Sequence, residues 1–187
     1  MQKNNHNPNK HDKIGTNYNQ TRMADNYLVN QFKNLLDLKK SKTYLDIGCG
    51  TGNYTIGLYR DTLNFIGIDP SVKMLSIAKM RNPEIEWILG SAENIPLVDS
   101  NVDGVFGCMT IHHWASLDNG FSEINRILKT NGSLVIFTST AEQMKTYWLN
   151  YYFPKTLKLL HYYLKLAETI TRRSRNYYFG IAHRRPI

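Results

Sequence analysis

Asp46, Gly48, Gly50, Gly52 and Asp69 are the residues around which chemistry can be organised in this chain. Asp46 sits near the end of a short β-branched and aromatic run, Thr43-Tyr44-Leu45-Asp46-Ile47, which reads as a strand. Three alternating glycines then break the run, with Cys49 and Thr51 between them, and from Tyr54 the pattern becomes helical. Lacking a Cβ, the glycines permit positive φ and let backbone N–H groups approach a ligand at the positive end of the following helix. Asp69 closes a second strand, Asn64-Phe65-Ile66-Gly67-Ile68. It lies about twenty residues beyond Gly48, the interval that sets a carboxylate at the tip of the next parallel strand, where it accepts bonds from ribose hydroxyls. A nucleoside cofactor is implied. The nicotinamide fingerprint requires a third glycine three residues after the second, and Asn53 stands there, which argues against a dehydrogenase.

A second group of reactive side chains follows the strand Val102 to Cys108, in Met109-Thr110-Ile111-His112-His113-Trp114. His112 and His113, just past the strand tip, are the candidates for substrate contact, because an imidazole exchanges a proton near neutral pH. The competing assignment has them cap or pack beside the next helix. Cys108 and His112 would supply half of a zinc site, but no second Cys or His pair stands at ligand spacing, so no metal is expected.

The segment Asp46-Ile47-Gly48-Cys49-Gly50-Thr51-Gly52 resembles the first motif of the class I S-adenosylmethionine-dependent methyltransferases, and Gly67-Ile68-Asp69 resembles the second. The branch most similar is the type 11 methyltransferases, which include the ubiquinone/menaquinone C-methyltransferases. The likeness runs from about Ile14 to Phe153. It implies an α/β fold with a Rossmann-like, doubly wound, mostly parallel sheet and helices on both faces. It also implies S-adenosylmethionine as the cofactor. In that case Asp69 holds the ribose and the Gly48–Gly52 turn, with Cys49 and Thr51, holds the methionine portion. Asp46 orders the turn or receives the ammonium through water. Tyr18 and Arg22 resemble a segment that folds over the cofactor in relatives, against the alternative of a packed Tyr and a solvated Arg. Gly90 to Pro96 resembles the segment bordering the adenine. Many relatives have Asp or Asn where this chain has Ser91, while the Ala92 backbone can still contribute; Glu93 stays open between a role there and a solvated carboxylate. The fourth strand, ending at Cys108, would finish beside the reacting methyl group. The sulfonium already activates that methyl, so the protein has to align donor and acceptor and exclude water, with His112 or His113 removing a proton.

Positioning these groups requires the surrounding elements. An amphipathic helix is expected over about 21–38, with Tyr27, Leu28, Phe32, Leu35 and Leu36 on its apolar face. Pro70 precedes Ser71, a natural N-cap for a helix over Val72 to Met80, and Ile85 to Leu89 reads as the third strand. Ser122 to Lys129 has helical spacing, and Thr130-Asn131-Gly132, where relatives carry Pro-Gly-Gly, turns into the strand Ser133 to Thr138. Residues 1–13 are too polar to pack and form a tail, 14–153 make the cofactor domain, and 154–187 form a basic segment. In that last part Lys155 to Thr171 reads as one helix and only Tyr177 to Ile181 as a strand. The C-terminal strands of the sheet are therefore expected to be incomplete, leaving an unpaired edge on the fifth strand, or the segment derives from a truncated or altered reading frame.

The net charge of +8 is divided unevenly: +4 over residues 1–40, −3 over 41–140 and +7 over 141–187. The basic ends, especially Arg172-Arg173-Ser174-Arg175, have the composition of a nucleic-acid or anionic-membrane contact, or of a solvated terminus. Nucleic-acid methylation is disfavoured, since Cys108-Met109-Thr110-Ile111 matches neither the Asn/Asp-Pro-Pro-aromatic motif of base-amino methylators nor the Pro-Cys of cytosine C5 enzymes. A small-molecule acceptor is the better fit. The alternatives are a non-catalytic or degenerate S-adenosylmethionine-binding protein, or an RNA-directed methyltransferase that uses the basic tail. The polar start, the lack of a membrane-length apolar run and two cysteines without a disulfide framework point to a soluble cytoplasmic protein. Its oligomeric state is not encoded in these patterns.

Overall fold

The computed structural model describes residues 23–138 and the backbone of the strand 177–181. Tyr18, Arg22, the tail over 1–13, the helix over 155–171 and the arginine run lie outside the described residues.

Helix α1 (Asn26–Leu36) begins at Asp25, whose carboxylate accepts the N–H groups of Tyr27 at 2.7 Å and Leu28 at 3.2 Å. The chain then alternates: β1 (Thr43–Ile47), α2 (Asn53–Leu58), β2 (Asn64–Asp69), α3 (Val72–Arg81), β3 (Glu86–Leu89), β4 (Val102–Cys108), a single 3-10 turn at Ile111–His113, α4 (Leu117–Ile127), β5 (Leu128–Thr138) and β6 (Tyr177–Ile181). All pairings between these strands are parallel, in the order β3-β2-β1-β4-β5-β6. The order reverses direction between β1 and β4, which opens a crevice beyond their C-terminal ends.

Parallel strands are covered on both faces, so β1 is buried almost throughout. Its side chains alternate. Leu45 and Ile47 join Ile66, Ile68, Val105 and the α4 residues Phe121, Ile124 and Ile127 in one core layer. Tyr44 joins Phe65, Phe106, Leu58 and the α1 residues Val29, Phe32 and Leu36 in the other. The doubly wound architecture expected from the sequence is present.

Three boundaries differ from expectation. Helix α4 starts at Leu117, five residues early, because Ser116 caps it by accepting the Asn119 N–H at 3.3 Å. Strand β5 already pairs at Leu128 with Val102, and the ladder resumes at Ser133 with Gly104; the residues between bulge outward through Asn131, which adopts φ 65°. The unpaired edge expected on β5 is corrected: β6 runs alongside it in parallel from Leu134↔Tyr177 to Thr138↔Ile181. Five residues of backbone hydrogen bonds occupy positions that would otherwise face solvent. At the opposite end of the sheet from the crevice, Asp103 anchors the strand starts by accepting the Thr43 N–H at 3.1 Å and the ammonium groups of Lys42 and Lys129.

Candidate active site

The turn after β1 is built on three left-handed residues, Gly48 (φ 72°), Gly50 (φ 56°) and Gly52 (φ 75°). Steric demands separate them. A Cβ on Gly48 would stand 1.9 Å from Thr110 Oγ1, and one on Gly52 would stand 2.4 Å from the Trp87 ring. A Cβ on Gly50 would meet nothing within 4 Å, so the tip of the turn borders open space.

Most donors in this turn are already engaged. The N–H groups of Gly48 and Cys49 both bond to the Ile68 carbonyl, at 2.8 and 3.0 Å, and that of Gly52 to the Cys49 carbonyl at 2.9 Å. Gly50 N–H donates to Asp69 Oδ2 at 2.8 Å. The Gly48, Cys49 and Gly50 groups close the turn against β2 and that of Gly52 closes it internally, so the expectation that the glycine N–H groups turn toward a ligand is corrected. Moreover, α2 is only six residues long, so little helix dipole stands behind it. What remains for a ligand is the shape of the turn, its acceptors and the carboxylates.

Asp69, 8% exposed at the tip of β2, accepts two backbone donors, Gly50 N–H on one oxygen and Ser71 N–H on the other at 2.9 Å. A carboxylate oxygen can accept more than one hydrogen bond, so a backbone N–H on an oxygen does not by itself bar a hydroxyl donor from it. Asp46, 3% exposed on the adjacent strand, accepts the Thr55 hydroxyl from α2 at 2.6 Å. Burial pushes its carboxyl up to about 7; the Thr55 hydrogen bond acts in the other direction, and the Asp69 charge adds to the rise. Two acidic groups thus meet at the turn.

The sign of the Asp46 effect is testable. A carboxyl raised in the folded state stabilises the fold fully below its unfolded value near 4, and that contribution is lost as pH rises through about 7. Asp46→Asn keeps an acceptor for Thr55 without the charge. Relative to the parent, the empty variant should gain on the order of 2 kcal/mol in urea unfolding between pH 5 and pH 8. Parallel stability profiles for the two proteins would rule this out.

Both cysteines near the turn are poor nucleophiles. Burial, followed by the Asp46 and Asp69 charges, pushes the Cys49 thiol up. Burial also pushes Cys108 up to about 12, against an opposing hydrogen bond from Tyr54. A raised thiol holds less thiolate at neutral pH, and both side chains lie in packed surroundings.

The other wall follows β4. Met109 takes φ 53° at the strand tip, and its N–H donates to the Phe137 carbonyl at 2.8 Å. Thr110 is buried against Gly48 and Gly107, and its hydroxyl accepts the Trp114 indole N–H at 3.3 Å. His112 and His113 follow in the 3-10 turn with ring centroids 4.0 Å apart, the first half-buried and the second exposed. Ser91 bridges to Asn94, folding Gly90–Asn94 into a tight turn beside β3, and Ala92 is buried against the α4 side of the sheet. Thus Asp46, Gly48–Gly52 and Asp69 come together in one place, Ser91 and Ala92 follow the neighbouring β3 tip, and Cys108, His112 and His113 follow the β4 tip. Among the described residues, no group of three or more His, Cys, Asp or Glu is arranged to hold a metal ion.

Sequence patterns missed four supports. Arg81, at the end of α3, donates to the Thr51 carbonyl at 2.7 Å and to Asn53 Oδ1 at 2.6 Å, fastening the turn from thirty residues away. Thr110 and Trp87 impose the absence of side chains at Gly48 and Gly52. Thr55 holds Asp46. A Thr two residues into a helix after such a turn was a local signal that could have been used; the other three act across sequence separations that no spacing rule reports.

Residues 45–136 match the family model described as a methyltransferase domain. The chain is 33% identical over 115 residues to the ubiquinone/menaquinone biosynthesis C-methyltransferase of Campylobacter jejuni, covering 58% of this chain and 49% of that one. It therefore spans about half the length of the curated relative it matches. Among solved structures, it is similar to an Anabaena variabilis protein described as a methyltransferase from an antibiotic biosynthesis pathway, with 37% identity, 81% of this chain and 61% of that chain covered, and a TM-score of 0.68. An S-adenosylmethionine-dependent methyltransferase from Aquifex aeolicus shares the fold at 24% identity and a TM-score of 0.57, with 72% of this chain and 74% of that chain covered.

Proposed function

We propose, from the premise that residues 45–136 belong to the methyltransferase domain family, that this chain transfers a methyl group from S-adenosylmethionine to a small-molecule acceptor. The observation that carries the proposal is Asp69: it fixes the Gly50 N–H while the tip of the turn faces open space, which suits a ribose diol lying along the carboxylate. When bound, S-adenosylmethionine supplies a methyl group already activated by its sulfonium. Asp69 accepts the ribose hydroxyls, the Gly48–Gly52 turn shapes the berth of the methionine portion, and Asp46 orders that turn or receives the ammonium through water. Ser91 and the Ala92 backbone border the adenine, and Cys108 contributes packing at the β4 tip. Residues 14–153 would form the catalytic unit, with Tyr18 and Arg22 as further cofactor contacts, and two free thiols are consistent with a cytoplasmic location.

Calorimetry tests the first half of this proposal. S-adenosylmethionine and S-adenosylhomocysteine should bind and a nicotinamide cofactor should not; the reverse would remove the proposal. A methyl-labelled cofactor incubated with a metabolite extract tests transfer, and binding without any labelled product would favour a non-catalytic binding protein. The half-buried and exposed histidines predict a division of labour. His112→Ala and His113→Ala should each leave cofactor affinity within about two-fold, while at least one lowers turnover by about 100-fold, the smaller end of a proton-transfer contribution. Equal losses of cofactor binding in both would contradict it.

A further inference from the structure

We propose that Glu93 is a positioning residue that couples the cofactor side of the site to the acceptor side. The proposal rests on the assignment above of the Ser91–Ala92 turn to the adenine. Glu93 is half-buried, and its Oε1 accepts two backbone donors from a different element: Ala115 N–H at 2.6 Å and Ser116 N–H at 3.2 Å. Ser116 is the N-cap of α4, and Ala115 follows the stretch that carries His112, His113 and Trp114. One carboxylate oxygen therefore joins the tip following β3 to the loop following β4, across twenty-two residues of sequence.

The geometry on each side makes that link stiff. On the cofactor side, Gly90 N–H donates to the Asp69 carbonyl at 3.2 Å, and the Ser91–Asn94 bridge closes the turn that projects Glu93. Displacing Asp69 or the turn therefore displaces Glu93. On the acceptor side, His113 N–H bonds to the Thr110 carbonyl at 2.8 Å and Trp114 N–H to the Ile111 carbonyl at 3.3 Å. Trp114 is buried and packs edge-on against Phe121 in α4, with ring centroids 5.4 Å apart. The two histidines thus ride on a short rigid turn whose far end is held by Glu93. A second acidic group keeps the remainder of the β3–β4 connection from absorbing the motion. Glu123 on α4 accepts the Ile95 N–H at 3.0 Å, and Arg126 donates to the carbonyls of Ile95 and Leu97 at 2.9 and 2.8 Å. With the connection fastened to α4 at both places, a shift at the adenine turn is delivered to the start of α4 and to the histidines. By reciprocity, an acceptor that orders the histidine turn tightens the cofactor site to the same degree.

The test uses amide hydrogen exchange of the whole chain by NMR, with and without S-adenosylhomocysteine, beside calorimetry on the same samples. In the parent protein, exchange protection at Ala115 and Ser116 should rise about five-fold or more on binding. Glu93→Gln, which retains a carbonyl acceptor, should keep most of the rise. Glu93→Ala should abolish it while the dissociation constant changes by less than about three-fold, with Leu45 and Val105 amides confirming an intact sheet. Should Glu93→Ala fail to fold, Glu93→Asp, one carbon short of the two N–H groups, takes its place and should lose the rise. Binding with unchanged protection in the parent, or an equal rise in Glu93→Ala, overturns the coupling alone. Failure of S-adenosylhomocysteine to bind the parent overturns the cofactor assignment and the coupling with it.

Discussion

Asp69→Ala is expected to weaken S-adenosylmethionine binding by about 10- to 100-fold, the range set by losing one or two hydrogen bonds to a carboxyl acceptor. Two effects combine. The ribose loses its acceptors, and the Gly50 and Ser71 N–H groups lose theirs, since Asp69 holds one on each oxygen. The second effect reaches the fold: two unpaired donors beside a buried carboxylate site should cost about 2–4 kcal/mol in urea unfolding. Asp69→Asn separates these contributions from simple loss of volume. Its amide has one acceptor and one donor group, so one of the two N–H groups must face an NH2, and affinity should stay closer to alanine than to the parent. Calorimetry on folded Asp69→Ala that returned the parental dissociation constant would leave the proposed cofactor without its main support.

That experiment addresses the part of the site that was most legible in the sequence. Asp46 and Asp69 could be placed because local rules act on them: strand alternation brings Tyr44 and Asp46 to one face of β1, and a fixed interval between parallel strands brings Asp69 to the neighbouring tip. Ser71 could be placed for the same reason, as its hydroxyl accepts the Met74 N–H three residues on. The contacts that hold the turn obey no such rule. Arg81 reaches Thr51, Trp87 lies over Gly52 and Thr110 against Gly48 because the parallel crossovers bring them there, and only the three-dimensional arrangement reveals it. The expected role of the glycines changed for a similar reason. Positive φ was readable from the residue type, but the turn's N–H groups found the Ile68 carbonyl and the Asp69 carboxylate, partners that lie on another strand. At β5, the expected open edge followed from counting the strands that fit the family pattern; β6 instead pairs directly in parallel, an arrangement that the local sequence does not distinguish from an isolated strand.

The same turn yields a contrast between two substitutions of identical chemistry. Gly48→Ala should lose about 3–5 kcal/mol of stability, a large share of what a domain of this size possesses. Part is the left-handed backbone at φ 72°, and the larger part is the new Cβ, 1.9 Å from Thr110 Oγ1 and 2.7 Å from Thr110 Cβ. Thr110 cannot easily rotate away, because it is β-branched, buried and bonded to the Trp114 indole. Gly50→Ala shares the left-handed strain, at φ 56°, but meets no protein atom within 4 Å, so its stability loss should be only about 1 kcal/mol. Its Cβ instead enters the space assigned to the cofactor, and affinity should drop by about 10-fold or more for want of close backbone approach. Thr110→Ala removes the closest clashing atom and should recover part of the Gly48→Ala loss in a double-mutant cycle, while leaving Gly50→Ala unaffected. Urea unfolding and calorimetry on the three single and two double variants distinguish the outcomes. Equal destabilisation at positions 48 and 50, with cofactor affinity untouched at 50, would show that the turn serves the fold alone and that the open space above it is not where the cofactor lies.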